Sequence, residues 1–300
     1  MAKARIIIKR RKAVRNIRKI TKVMQMIASS RYQKAYRRAI GTKPYVKKLG
    51  ELVASVVAAV KASGKNIDHP LMQDPKAGVH KIAILVITSN RGLCGGYNGN
   101  ILRLAGSAYR ELTAAGDQTS LHISGKKGIA YFKFLGYTPA ATYTQLGEAP
   151  KFAEIAELAD QFIAEFTSGK ISGLKIVYMR FVSAGQQRAT VMDVLPLARL
   201  ADAPASAATA QRTVNTQYDF LPGAEEILND LIPTTVKASI FQAFIEAAVS
   251  EQMARMVAMK AATDNAEKLG KKLSQDYNRA RQSQITSELA ELMGGVEAMK

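Results

Sequence analysis

The side chains able to make or break bonds in this sequence are few and scattered. The single cysteine, Cys94, lies in the run Ser89-Asn90-Arg91-Gly92-Leu93-Cys94-Gly95-Gly96-Tyr97-Asn98. A cysteine becomes a nucleophile when a nearby histidine or cation lowers its thiol pKa, and no histidine or second cysteine is near it in sequence. One cysteine also excludes a disulfide framework and a cysteine-rich zinc site. The three histidines, His69, His80 and His122, leave little for metal ligation or acid–base work, and none stands in an H-x-x-x-H or H-x-x-E-H spacing. Glu225-Glu226 could pose as paired carboxylates, but after Pro222-Gly223 they read as the acidic first turn of a helix. The methionines at 253, 256, 259, 293 and 299 read as packing residues. No nucleophile, base and oxyanion donor come together, so no catalytic residue, cofactor or metal is assigned.

The glycine-rich run has a second possible chemistry. It follows an apolar strand pattern and opens a helix, where a dinucleotide fold holds phosphate. Neither G-x-G-x-x-G nor G-x-x-x-x-G-K-[ST] can be read from it. Arg91, Gly92, Gly95 and Gly96 are therefore expected to form a tight strand-to-helix turn, with several glycines at positive φ or in close packing.

The elements that carry these residues fall into three parts. From Ala13 to about Ala39 there is no proline or glycine, and Ile17, Ile20, Met24 and Ile27 form one helical stripe opposite Arg15, Arg18, Lys19 and Lys22. Gly41 and Pro44 are expected to weaken or kink this helix before it resumes through Leu49–Val60. A loop is expected over Ala62–Gly78. Lys81–Thr88 is a near-continuous apolar run, expected of a strand buried on both faces. Helices are expected over Gly99–Ala115, Gly128–Leu135 and Ala153–Phe166, with a short strand at Leu121–Ser124. Leu174–Val182 and Arg188–Pro196 read as a hairpin joined through Ser183–Gln187. This alternation argues for an α/β layer domain of about 130 residues. Ala201–Ala210 is a linker of small residues.

The last part reads as one helix from about Thr234 to Leu292, roughly 90 Å long at 1.5 Å per residue. Met259, Ala266, Leu273 and Ala280 share one heptad position, and Ala262 and Leu269 the other. Asp276 and Ser283 interrupt that seam toward the C-terminus. Such a helix needs a partner, and antiparallel pairing with the N-terminal stripe would bury both. A slender coiled coil projecting from a compact domain is expected, partly apolar at its tip.

Charge restricts the partner. Lysine and arginine total 43 against 24 acids, a formal +19. Seventeen of the basic residues fall between Met1 and Lys48, where there is no acid. Nucleic acid, anionic lipid and an acidic protein surface could each relieve that repulsion. Only Tyr32 and Tyr36 are interleaved aromatics for nucleic acid, and the apolar face offers no Trp or Phe anchor for a membrane surface. Insertion into an acidic protein cavity accounts for length, charge and the fading seam together. No apolar run is long enough for a transmembrane helix, and the N-terminus lacks a secretory apolar region.

Three blocks then resemble the gamma subunit of F-type ATP synthase. Lys19-Ile20-Thr21-Lys22-Val23-Met24-Gln25-Met26-Ile27-Ala28-Ser29-Ser30-Arg31 is similar to the family's K-I-T-K-A-M-x-M-V-A pattern. Ile87-Thr88-Ser89-Asn90-Arg91-Gly92-Leu93-Cys94-Gly95-Gly96 is the second block, with Asn90 where the family usually has aspartate. The third runs from Ser250 through Ala266 and continues through Tyr277–Gln282 and Ile285–Leu289.

The resemblance implies an α/β fold: a long antiparallel coiled coil of the terminal helices plus a Rossmann-like α/β domain. The implied parts are 1–62 for the N-terminal coiled-coil helix, 78–200 for the Rossmann-like domain and 211–300 for the C-terminal helix. It implies a central-stalk rotor, itself not an enzyme, coupling proton flow through the membrane ring to conformational change at beta-subunit catalytic sites. Its implied partners are the alpha and beta subunits of the hexamer, the epsilon subunit and the c-subunit ring, without transmembrane insertion. Partner-contact and coupling roles fall on Lys19, Lys22, Met24, Arg31, Arg255, Arg281, Gln282 and Thr286. Arg255 falls on the seam register, where its charge needs a partner. One cysteine excludes the regulatory disulfide of chloroplast members, and the expected location is the cytoplasmic face of a bacterial inner membrane. A basic helical nucleic-acid-binding protein is the alternative.

Overall fold

A computed structural model describes residues 2–62, 69–73, 80–146, 149–197, 224–297 and 299. Two compact units emerge: Arg31–Ala254, and the two chain ends Met1–Ser30 with Arg255–Lys300. The linker expected at Ala201–Ala210 and most of the loop expected over Ala62–Gly78 lie outside the described residues.

The larger unit is built on a five-stranded sheet of order β3-β2-β1-β4-β5. Its strands are β1 (Lys81–Ile87), β2 (Gln118–Ser124), β3 (Ala141–Tyr143), β4 (Gly173–Ser183) and β5 (Gln186–Leu195). The first four pair in parallel, and β5 returns antiparallel to β4. The apolar run of β1 is buried on both faces, as its sequence requires. Ala83, Leu85 and Ile87 enter one core with α4 (Phe152–Thr167), while Ile84 and Val86 enter another with α2 (Tyr97–Ala114). The short helix α3 (Lys126–Phe134) adds Phe132 to the second core.

Helix α1 spans Ala2–Ala62 and α5 spans Ala224–Glu297. Both pass through prolines: Pro44, where a weakening or kink was expected, and Pro233, just before the start expected near Thr234. Pro44 is exposed, while Ala39, Leu49 and Val53 around it are buried, so flanking burial holds the helix across the lost hydrogen bond. Upstream of Pro233, Leu228 and Ile232 lie one turn apart in the α4-side core and anchor the extra helical turns. Within this unit α1 and α5 run antiparallel: Thr42 Oγ1 donates to Gln242 Oε1 at 3.1 Å, and Ala39 packs with Ile245 and Val249.

The chain ends form an antiparallel coiled coil of their own. Thr263 Oγ1 donates to Thr21 Oγ1 at 2.9 Å. Arg18 pairs with Glu267 at 3.0 Å, Val14 faces Gly270, and Arg11 lies 5.2 Å from the ring centre of Tyr277.

Candidate functional site

The coiled-coil surface is where the sequence reading needs its main correction. Ile17, Ile20, Met24 and Ile27, expected to face the partner helix, are 51%, 56%, 38% and 49% exposed. The seam belongs instead to Val14, Thr21, Gln25 and Ala28, of which Thr21 and Ala28 are buried and Val14 and Gln25 half-buried. Their spacings of seven, four and three residues fit the 3.5-residue period of a coiled coil. On α5 the series Met259, Ala266, Leu273, Ala280 faces inward as expected, but Leu269 is 47% exposed and Ala262 only half-buried. Thr263, Gly270 and Tyr277 take the second seam position. The physical reason is size: threonine, alanine and glycine let two backbones approach closely, and bulky isoleucines are left outside.

Helix α1 therefore carries three faces in this unit. At about 100° per residue, the small-residue seam lies roughly a quarter turn from the isoleucine stripe and a quarter turn from the basic face. Val23 widens the apolar stripe at 50% exposure, while Met26, 55% exposed, falls between Arg15 and Lys19 on the basic face. At the end of α5, Ile285, Leu289, Leu292 and Met293 are exposed as well. Contiguous exposed apolar residues mark a surface that another molecule covers.

The glycine-rich turn is organised by side chains more than by its glycines. Ser89 is buried, and its Oγ donates to the Arg91 carbonyl at 2.6 Å. Asn98 Oδ1 accepts from the Ser89 backbone N–H at 3.1 Å, and its Nδ2 donates to Ser89 Oγ at 2.8 Å and to Cys94 Sγ at 3.2 Å. Of Gly92, Gly95 and Gly96, only Gly95 takes positive φ (57°), joined by Leu93 (63°). Gly96 caps α2 at φ −79°. The glycines that must be glycine are Gly125 and Gly128, which the sequence reading passed over. A Cβ on Gly125 would sit 2.2 Å from the Thr88 carbonyl oxygen, and one on Gly128 2.7 Å from Thr88 Oγ1. Asn90 receives the Lys126 N–H at 3.1 Å and donates to the Thr144 carbonyl at 3.3 Å, so it binds the turn to α3.

In a doubly wound sheet a ligand sits where strand order reverses, here beside the C-terminal end of β1. That space is filled by α5. Tyr97 donates to the Ala247 carbonyl at 3.2 Å, Ser250 to the Met179 carbonyl at 3.1 Å, and Tyr178 to Glu246 at 3.4 Å. Burial and the Glu246 carboxylate raise the Tyr178 pKa, so its proton stays in that bond. The gap left among Thr88, Tyr97, Ser124 and Glu251 is about 20 Å³, room for a water and not for a nucleotide.

The comparisons with known proteins now decide the family. A family profile described as ATP synthase matches residues 3–299. The ATP synthase gamma chain of Rhodopirellula baltica is 42% identical over 300 residues, covering 100% of both chains. This chain belongs to the ATP synthase gamma chain family. The gamma chain of Chloroflexus aurantiacus is 36% identical over 299 residues, covering 100% of this chain and 99% of that one. Its fold matches a chain of the Euglena gracilis mitochondrial ATP synthase OSCP/F1/c-ring assembly, with a TM-score of 0.64 at 18% identity, over 99% and 95% of the two chains. A chain of the Tetrahymena thermophila mitochondrial ATP synthase central stalk/c-ring gives 0.54 at 21% identity, over 81% and 99%. The nucleic-acid alternative gains no support from these relatives.

The family's matched positions fall in both units. Lys19 and Lys22 are exposed on the basic face of α1, with Met24 on the apolar stripe opposite. Arg255 is half-buried on α5, at the heptad position of Ala262 and Leu269 that Thr263 and Gly270 replace in the seam. Arg281, Gln282 and Thr286 lie within about one and a half exposed turns of α5, where the Thr286 hydroxyl donates to the Gln282 carbonyl at 3.0 Å. Arg31 is exposed in the larger unit, on the same face of α1 as Lys34 and Arg38. Among the described residues, no helix is long and apolar enough to cross a membrane.

Proposed function

We propose that this gamma chain is the shaft that couples proton flow through a membrane ring to conformational change at catalytic sites held by other subunits, and that it is not itself catalytic. The observation that carries the reading is the outward isoleucine stripe on the side of α1 opposite its basic face: large apolar side chains that the chain's own seam leaves uncovered. The coiled-coil unit meets the alpha and beta subunits of the hexamer, with Lys19, Lys22, Met24, Arg255, Arg281, Gln282 and Thr286 as contact and coupling residues, joined by Arg31 of the larger unit. The α/β unit meets the epsilon subunit and the c-subunit ring. The working location is the cytoplasmic face of a bacterial inner membrane, without insertion.

The division of labour follows from the magnitudes. Exposed ion pairs contribute about 0–1 kcal/mol each, so a surface of separate lysines and arginines can push against acidic partners and release them. Apolar contacts carry no directional bonds and allow sliding. Placing a cation on the apolar stripe changes that balance. In the assembled complex, Met24→Lys is expected to lower ATP-driven proton pumping more than ATP hydrolysis. Equal loss of both activities would refute a coupling role for this face.

A further inference from the structure

A cavity in the larger unit is left unused by the rotor reading. It has a volume of about 240 Å³, walled by Ala35, Ile245, Ala248 and Pro150. Gln252 lines it, is 1% exposed, and finds among the described residues a hydrogen-bond partner for neither Oε1 nor Nε2. A buried amide left unpaired costs about 1–3 kcal/mol, and native interiors keep few such groups without a bound partner to explain them. Arg31, Lys34 and Arg38 also line the cavity, spaced to share one face of α1.

We propose that this cavity binds a small hydroxy-monocarboxylate. Each part of that ligand answers one property of the wall. The cationic rim and Gln252 Nε2 take the carboxylate as hydrogen-bond donors. Gln252 Oε1 accepts from the hydroxyl. Ala35, Ile245 and Ala248 cover the short alkyl chain. Inorganic phosphate satisfies the charge and leaves the apolar wall bare, while a simple fatty acid leaves Oε1 unpaired. A volume of 240 Å³ is below the range of about 300–1,000 Å³ usual for drug-sized ligands, so the ligand has only a few heavy atoms. The site shares Arg31 alone with the rotor reading.

The test titrates the full chain, labelled with 15N at glutamine, with 3-hydroxybutyrate, butyrate and inorganic phosphate. The Gln252 side-chain amide resonance is identified by its loss in Gln252→Leu. That variant removes two unpaired buried polar atoms, so it is expected to fold. 3-Hydroxybutyrate is expected to move the Gln252 resonance at millimolar concentration and to bind about tenfold more tightly than butyrate or phosphate, the worth of one additional satisfied hydrogen bond. Arg38→Gln is expected to weaken binding several-fold with the melting temperature unchanged. Equal binding of butyrate, tighter binding of phosphate, or an unmoved Gln252 resonance would each overturn the proposal.

Discussion

Replacing the outward isoleucines together separates the two ways in which α1 could be used. Full burial of one isoleucine contributes about 1.5–3 kcal/mol, and core truncations in well-packed sites cost about 2–5 kcal/mol each. Were Ile17, Ile20 and Ile27 seam residues, the triple serine variant would lose upward of roughly 6 kcal/mol and the coiled coil would melt. They are instead 51%, 56% and 49% exposed, and substitutions at surface positions usually stay within about 0.5 kcal/mol. The triple variant should therefore lose no more than roughly 2 kcal/mol in urea unfolding followed by circular dichroism. A single Ala28→Leu change is the control. Ala28 is 1% exposed, so overpacking there should cost about 1–3 kcal/mol, as much as all three isoleucines. In reconstitution with hexamer subunits the order reverses. Burying the remaining half of each isoleucine is worth roughly 1 kcal/mol, so the triple variant should assemble about a hundredfold more weakly. Collapse of helix content in the isolated triple variant, or assembly indistinguishable from the parent chain, would refute this placement of the stripe.

Three further outcomes follow from particular contacts. Gly125→Ala should destabilise the α/β unit by more than about 3 kcal/mol, because its φ is +98° and the new Cβ would lie 2.2 Å from the Thr88 carbonyl oxygen; a loss under about 1 kcal/mol in denaturant unfolding would contradict that contact. Gly270→Ala should stabilise by about 1 kcal/mol, since its Cβ would meet Val14 at an ordinary 4.0 Å, and an unchanged or lower melting temperature would count against the seam assignment. His122 is buried near Lys81, and desolvation followed by that charge lowers its pKa from 6.5 to about 4. The unfolded chain then binds the extra proton first, so stability contributed by the neutral ring is lost as pH falls from about 6.5 toward 4, up to roughly 3 kcal/mol. His122→Phe should flatten the unfolding midpoint across that window; an unaltered pH slope would show that His122 is not its source.

The alternation of strands and helices was legible because each periodicity was strong: β1 is apolar throughout, and the β4–β5 hairpin turns at Gly185 close to where its pattern changes. The heptad series Met259, Ala266, Leu273, Ala280 was legible for the same reason. What misled was hydrophobicity itself. On α1 the largest apolar residues of the coiled-coil unit are outward, and the seam is written in threonine, alanine and valine, so the conspicuous stripe lies outside the seam. Only the spacing of small residues at Val14, Thr21 and Ala28 could have given the seam from sequence. Prolines misled in the same way, because tertiary packing around Pro44 and Pro233 outweighs a local break. Gln252 gave no sequence signal at all; its lack of partners appears only when the surrounding side chains are placed.

The central claim is that this chain turns inside a hexamer of other subunits. Phe134 on α3 is 86% exposed and the natural Cys94 is buried, so Phe134→Cys offers one reactive thiol for a bead or gold particle. With the alpha and beta subunits reconstituted around the labelled chain and fixed to a surface, adding ATP should make the particle revolve in one direction at a rate that follows ATP hydrolysis. A particle that stays still while hydrolysis proceeds at the full rate would contradict the account.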